Sequence, residues 1–236
     1  MIDHIPLGYY NDFFQSGVKA ALNWDYVHNP HILVFGSTGS GKTYFVKLLL
    51  ARIGLKLPNA VVTVCDFKAD DFKFLSQSEN YYSFIRCSEG LDNYYNMFKA
   101  RQSGDDHCRD FRLLMFDEWA SYLNVLDKKE AEAAKNKLAT LLMLGRSFNV
   151  HVLISQQRAD ASYFSSSRDN FSTIIALGNI SKESKQMFFS EVKDEMQPCG
   201  LGEGYVLFNG VDLKKIIVPT VRDESKLNYY IAQSLG

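Results

Sequence analysis

One stretch constrains this chain more than any other: Pro30-His31-Ile32-Leu33-Val34-Phe35-Gly36-Ser37-Thr38-Gly39-Ser40-Gly41-Lys42-Thr43. Its apolar residues Ile32, Leu33, Val34 and Phe35 suit a buried β-strand. A glycine-rich turn follows, then a helical run carrying Phe45, Val46, Leu48, Leu49 and Leu50. A strand, a turn with the pattern G-x-x-x-x-G-K-T and a helix together make a phosphate-binding loop. Gly36, Gly39 and Gly41 permit backbone angles that a Cβ would forbid, so the loop can wrap phosphates and point N–H groups inward. The helix adds its positive N-terminal end. The expected ligand is a nucleoside triphosphate with Mg²⁺. Gly36, Ser37, Thr38, Gly39, Ser40 and Gly41 would form the cradle, Lys42 would reach the β- and γ-phosphates, and the Thr43 hydroxyl would bind Mg²⁺.

Around this loop, strands alternate with helices. Residues 5–7 read as a short strand, and 18–24 as a strand or a helix leading into the loop strand. The β-branched run 60–65 predicts a buried strand, as do 111–116, 150–155 and 172–177, with 81–85 a weaker candidate. Helices are expected over 43–53, 91–101, 128–144, 182–189 and 223–233. Residues 204–208 and 214–218 read as a terminal strand pair. The alternation predicts an α/β fold with a mostly parallel central sheet flanked by helices. Loops after the strands then gather at one edge, where such sheets bind ligands. The polar segment 162–170 is expected to be a mobile connection between two strands. The 236 residues suit one domain, read here as 1–236.

Residues 112–118, Arg-Leu-Leu-Met-Phe-Asp-Glu, form an apolar strand ending in two carboxylates. Downstream of a phosphate loop this is the Walker B arrangement. Asp117 can hold Mg²⁺ opposite Thr43, and Glu118 can orient or deprotonate the attacking water. The Asp–Glu pair favours hydrolysis over nucleotide storage. The next strand ends in Ser155-Gln156-Gln157-Arg158, where a polar amide would sit beside the γ-phosphate.

A net charge of −1 gives no bulk argument for nucleic acid, so any such surface must be local. No apolar run approaches the roughly 18 residues that a membrane span needs. The first residues lack a signal-peptide layout, and a cytoplasmic location is expected. Cys65, Cys87, Cys108 and Cys199 are scattered, without a C-x-x-C pair, and are expected to be reduced and mostly buried. The histidines are dispersed, and none is assigned to a metal.

Residues 30–43 closely resemble the phosphate loop of FtsK/SpoIIIE DNA translocases, within the FtsK/HerA superfamily. Residues 144–156, which contain Gly145-Arg146-Ser147 and end at Gln156, resemble that family's Gly-Arg-Ser helix end and sensor strand. Cys65-Asp66-Phe67-Lys68 stands where the family carries Asp-Pro-Lys. Residues 201–208 resemble its late Leu-Gly-x-Gly-Asp-Met-Leu segment, and Ile5-Pro6-Leu7-Gly8 resembles its opening strand. The likeness runs from about residue 2 to 232. Two departures are Gln157-Arg158 in place of Arg-Pro and Tyr205 in place of Asp.

The resemblance implies a RecA-like, hexameric ring ATPase that moves DNA with ATP and Mg²⁺. Lys42, Thr43, Asp117 and Glu118 become its ATPase core, Gln156 its γ-phosphate sensor, and Arg146 an arginine finger reaching a neighbour's ATP. Lys182 and Lys185 fall on basic positions of the family and could touch phosphate or a subunit interface. The orienting winged helix, the membrane segment and the extra N-terminal ring domain of chromosome translocases are expected to be lacking. A minimal motor of a plasmid, integrative element or phage is therefore expected, acting in DNA transfer, replication or packaging beside a relaxase or replication protein. Lys68 to Lys73 and Ser162 to Arg168 are the candidate DNA-contacting loops, chosen for their basic and polar-aromatic character. Two other readings stay open: a protein-transfer or virion-assembly ATPase, and a non-catalytic adaptor switched by ATP.

Overall fold

Strands form where the sequence is apolar at successive positions, which suits a sheet covered on both faces. The computed structural model describes residues 4–158 and 160–235. In chain order the strands are β1 His4–Tyr10, β2 Ala21–Asp25, β3 His31–Phe35, β4 Val61–Asp66, β5 Tyr81–Ser83, β6 Arg112–Asp117, β7 Val150–Gln156, β8 Thr173–Leu177, β9 Glu203–Phe208 and β10 Asp212–Ile217. The α-helices are α1 Asn11–Gln15, α2 Lys42–Lys56, α3 Cys87–Ser103, α4 Trp119–Val125, α5 Lys128–Leu144, α6 Lys182–Phe188 and α7 Glu224–Gln233.

The strands join in one sheet in the order β2-β1-β10-β9-β8-β3-β7-β6-β4-β5. From β8 to β5 all neighbours are parallel. From β8 out to β2 they are antiparallel. This is an α/β fold whose parallel part holds the buried strands. β9 and β10 are joined by the three residues Asn209, Gly210 and Val211, of which the first two are left-handed. One face of the sheet is covered by α2 and α7, with Ile5, Leu7 and Trp24 beside them. The other is covered by α3, α4, α5 and α6.

Several elements differ from the sequence expectation. Within the stretch 18–24 the strand β2 begins only at Ala21 and runs to Asp25. β5 stops at Ser83, short of 85, because Phe84 takes a left-handed φ of 50° and opens a 3₁₀ turn. Helix α3 starts at Cys87 and ends at left-handed Gly104, longer than 91–101. The segment 162–170 is no free connection. It forms 3₁₀ turns, Ala161–Tyr163 and Ser165–Asn170, pinned by buried Phe164 and Phe171, whose rings pack edge to face at 5.1 Å.

The register aligns the strand ends that matter. Asp66 pairs with Asp117, Asp117 with Ser155, and Ser155 with Val34. Three polar side chains thus stand in one row, on one face, at the edge where β3 runs into its glycine-rich loop.

Candidate active site

The loop after β3 is shaped by backbone geometry. Gly39 and Gly41 have φ of 81° and 93°, and Gly41 caps α2 in the left-handed conformation. A Cβ on Gly36 would lie 2.5 Å from Ser40 Oγ and 2.7 Å from the Leu177 carbonyl, so only glycine fits against β8 there. Ser37, Thr38 and Gly39 are exposed, Ser40 is buried, and Gly41 and Thr43 are partly buried. The loop walls a cleft of about 320 Å³ that Lys68, Asp71 and Gln157 help to line. A second cleft of about 440 Å³ continues past Ser37 and Thr38 toward Arg158, Asn179 and Ser184.

Behind the loop, Lys42 is buried and turned inward. Its Nζ lies 3.0 Å from Ser155 Oγ, 3.3 Å from Asp117 Oδ1 and 3.5 Å from Glu118 Oε1. Ser155 Oγ in turn donates to Asp117 Oδ1 at 2.6 Å. Burial pushes the Asp117 carboxyl up, while the Lys42 charge and the Ser155 hydroxyl hold it down. A buried carboxylate pair needs compensating cations, and Lys42 is one. Lys68 Nζ, 2.9 Å from Glu118 Oε1, is the other. Burial opposes the charge on Lys68, but the hydrogen bond and charge of Glu118 outweigh it and leave the ammonium above its ordinary range.

Glu118 caps α4 with φ 57° and ψ 47°, a rare conformation for a residue with a Cβ. Its N–H donates to the Ser155 carbonyl at 2.7 Å, which holds the strained residue against β7. One residue on, Trp119 Nε1 donates to the Tyr163 carbonyl at 3.0 Å. The segment after β7 is thereby tied to the helix that Glu118 begins.

The donor set suits a triphosphate with Mg²⁺. Thr43 Oγ1 donates to Asp71 Oδ2 at 3.4 Å, and buried Asp117 Oδ2 has no hydrogen-bond partner among the described residues. Among those residues no group of three or more His, Cys, Asp or Glu could hold a metal ion. Mg²⁺ takes most of its shell from phosphate oxygens and water, so one hydroxyl and one carboxylate would be enough to hold it beside a triphosphate. When bound, the metal would supply charge neutralisation on the phosphates.

The remaining candidates lie apart from one another. Gln156 is fully buried, with both amide atoms unpartnered among the described residues. Strand alternation puts it on the face opposite Ser155, while Gln157 lines the cleft. Arg146 sits in the turn Gly145–Phe148 before β7, at the opposite edge of the sheet from the phosphate loop. β7 has seven residues, so this gap is about 20 Å at about 3.3 Å per residue. Lys182 is exposed, and Lys185 reaches the Met196 carbonyl at 3.5 Å. Tyr205, in place of the family's Asp, is buried and accepts from the Gln197 N–H at 2.8 Å. Lys68, on one of the candidate DNA-contacting loops, pairs with Glu118. Sequence reasoning missed Ser155 and Asp71. Ser155 is brought out by its register pairing with Asp117 at adjacent strand ends, and Asp71 had no sequence signal.

Comparison with known proteins agrees with this geometry. The family described as "Helicase HerA, central domain" matches residues 7–143. The Ftsk domain-containing protein YdcQ of Bacillus subtilis is 30% identical over 203 residues, covering 78% of this chain and 42% of that protein. The chain thus spans less than half of this relative. The pCW3 conjugation coupling protein TcpA, in a monomer form with ATPgS, matches with a TM-score of 0.73 at 19% identity, over 98% of this chain and 70% of that one. The cytoplasmic domain of the Type VII secretion ATPase EccC of Thermomonospora curvata matches with a TM-score of 0.71 at 21% identity, over 99% of this chain and 31% of that one. At such identities the structural likeness speaks for the fold. The family match takes in more than half of the chain, from β1 into α5, so the chain belongs to the HerA central-domain family and is a P-loop ATPase of the HerA/FtsK type.

Proposed function

We propose that this chain is a single motor domain that hydrolyses ATP with Mg²⁺ to move DNA, working as a homo-oligomeric ring, a hexamer in the family's manner. In this reading Lys42 holds the β- and γ-phosphates, Thr43 and Asp117 hold the metal, Glu118 takes a proton from the attacking water, and Gln156 senses the γ-phosphate. Arg146 serves the neighbouring subunit. The observation that carries the reading is the wide separation of two functional edges. Lys42, Ser155, Asp117 and Glu118 meet at one end of the sheet, and Arg146 is exposed at the other, its side chain making no hydrogen bond or ion pair among the described residues. A site with its cation on the far edge is complete only when a second copy supplies that cation. The track would be threaded by an element-specific relaxase or replication protein, in the cytoplasm. Among the described residues no helix is long and apolar enough to cross a membrane.

The test is ATP turnover with and without DNA, using matched single- and double-stranded lengths at low salt. Low salt is chosen because phosphate contacts weaken steeply as salt rises. DNA should raise turnover, and Lys42→Ala should abolish both the basal and the stimulated rate. Preserved turnover with no DNA binding and no stimulation would sink the DNA reading and favour a protein-moving ATPase.

A further inference from the structure

The loop between β4 and β5 enters the active site in two places. Lys68 reaches Glu118 Oε1 at 2.9 Å, and Asp71 Oδ2 accepts from Thr43 Oγ1 at 3.4 Å. Its backbone is fixed from within. The fully buried Asp66 carboxylate accepts from the Ala69 N–H and the Phe72 N–H, each at 3.1 Å, and from the Tyr81 hydroxyl at 3.2 Å. Ala69 is held left-handed at φ 59°, and Phe72 is buried. The backbone on either side of Lys68 is therefore anchored. The lysine side chain is the free part, and at 42% exposed it reaches inward from solvent.

Glu118 Oε1 accepts from Lys68 and lies 3.5 Å from Lys42 Nζ. A carboxylate oxygen committed to an ammonium is badly placed to take a proton from water, because a general base needs that oxygen within hydrogen-bond reach of the water. A triphosphate in the loop would draw Lys42 to its phosphates, leaving Lys68 on Glu118. The outer side of the loop carries a second chemistry. Lys73 and Phe74 are exposed, and Lys47 Nζ stands 5.6 Å and 5.7 Å from the ring centres of Phe72 and Phe74. Asp70 is exposed beside them, while Asp71 turns inward to Thr43. Cations around an exposed aromatic ring form a contact for a phosphodiester backbone.

We propose that Lys68 is a gate on Glu118: its ammonium holds the carboxylate idle until a nucleic-acid phosphate draws the side chain outward, which couples contact with the track to hydrolysis. The gate rests on the reading of Glu118 as general base and of DNA as partner. Lys68 is a positioning residue, acting through Glu118.

Steady-state turnover of wild type, Lys68→Ala and Lys68→Arg, each with and without double-stranded DNA, tests the gate. Lys68→Ala should raise basal kcat about tenfold, the factor that about 1.4 kcal/mol represents, leave KM for ATP unchanged and flatten the response to DNA. Lys68→Arg, which keeps the charge, should restore the low basal rate. Adding Glu118→Gln to Lys68→Ala should erase the gain, since the gain runs through that carboxylate. A basal kcat that stays level or falls in Lys68→Ala overturns the gate, and a fall would make Lys68 a contributor to turnover. If DNA fails to stimulate wild type while Lys68→Ala still raises the basal rate, the clasp stands and the DNA partner is wrong.

Discussion

Ser155 donates to Asp117 Oδ1 and accepts from Lys42 Nζ, so one hydroxyl sets the relative position of the carboxylate proposed to hold the metal and the ammonium proposed to hold phosphate. Hydrogen bonds to charged groups contribute about 1.5–3 kcal/mol each. Ser155→Ala should therefore lower kcat at least about tenfold, with Ser155→Thr recovering much of it. Steady-state turnover together with a thermal melt separates a lost orientation from a lost fold. Turnover equal to wild type in Ser155→Ala would show that Asp117 and Lys42 are held by other means. At this scale the sequence was legible where one short motif specifies both the residue and its surroundings. The glycines and Lys42 declare each other, and Asp117 and Glu118 end an apolar run. Ser155 becomes visible only once the parallel register sets β7 beside β6. Lys68 meets Glu118 across 50 residues of chain, through a loop whose path depends on three hydrogen bonds to Asp66. No local pattern encodes such a path.

Among the elements, the long buried strands were legible because parallel strands covered on both faces read as unbroken apolar runs. The short elements were not. α1 and α4 have five and seven residues, and α4 starts from a left-handed glutamate that no propensity would choose. The segment after β7 looked like a loop because its serines outnumber the two phenylalanines that fix it. The same packing explains two histidines that the sequence left unassigned. His31 on β3 and His151 on β7 are buried side by side, ring centres 6.5 Å apart, and His151 stacks on Phe111 at 4.5 Å. Burial pushes the His31 imidazole down to about 3, with the charge of His151 adding to it, and pushes His151 down to about 4. Both stay neutral in the folded chain, while the unfolded chain protonates them below about 6.5. The folded state is thus fully favoured above pH 6.5 and loses ground as the pH falls from there toward 4. Each neutral imidazole costs about 1.4 kcal/mol per pH unit in that window. Urea unfolding at pH 7, 6, 5 and 4 should show stability falling, with at most two protons' slope from these rings, reduced toward pH 4 as His151 charges and by Asp66 and Asp117, whose buried carboxyls are pushed up. A flat profile from pH 6.5 to 4 would mean that the strands open to admit the charge.

For the whole molecule the proposed function turns on the two ends of the sheet. The phosphate loop, Asp117 and Glu118 lie at one, and the turn containing Arg146 lies at the other. Beside Arg146 the end of α5 exposes Met143 at 58% and Leu144 at 43%, an apolar rim around a free guanidinium. A surface of that kind suits a protein neighbour, since apolar side chains beside an arginine are typical of interface centres. In the proposed ring the contact would repeat head to tail and close on itself, and each Arg146 would face the loop of the next copy. Arginine fingers supplied in trans contribute roughly 10³–10⁵ in rate in well-characterised phosphoryl transfer. Turnover per chain should therefore rise with protein concentration until rings are complete, and Arg146→Ala should flatten that rise at a low rate. Mixing gives the sharper test. Arg146→Ala keeps an intact phosphate loop, and Lys42→Ala keeps the proposed finger, so each should be nearly inactive alone. Mixed in equal amounts they should recover activity, because a Lys42→Ala copy lends its arginine to an Arg146→Ala neighbour. If mixed rings form, as cross-linking would establish, and no activity returns, Arg146 does not act across the interface. Its place at the helix end is then that of a cation complementing the helix dipole.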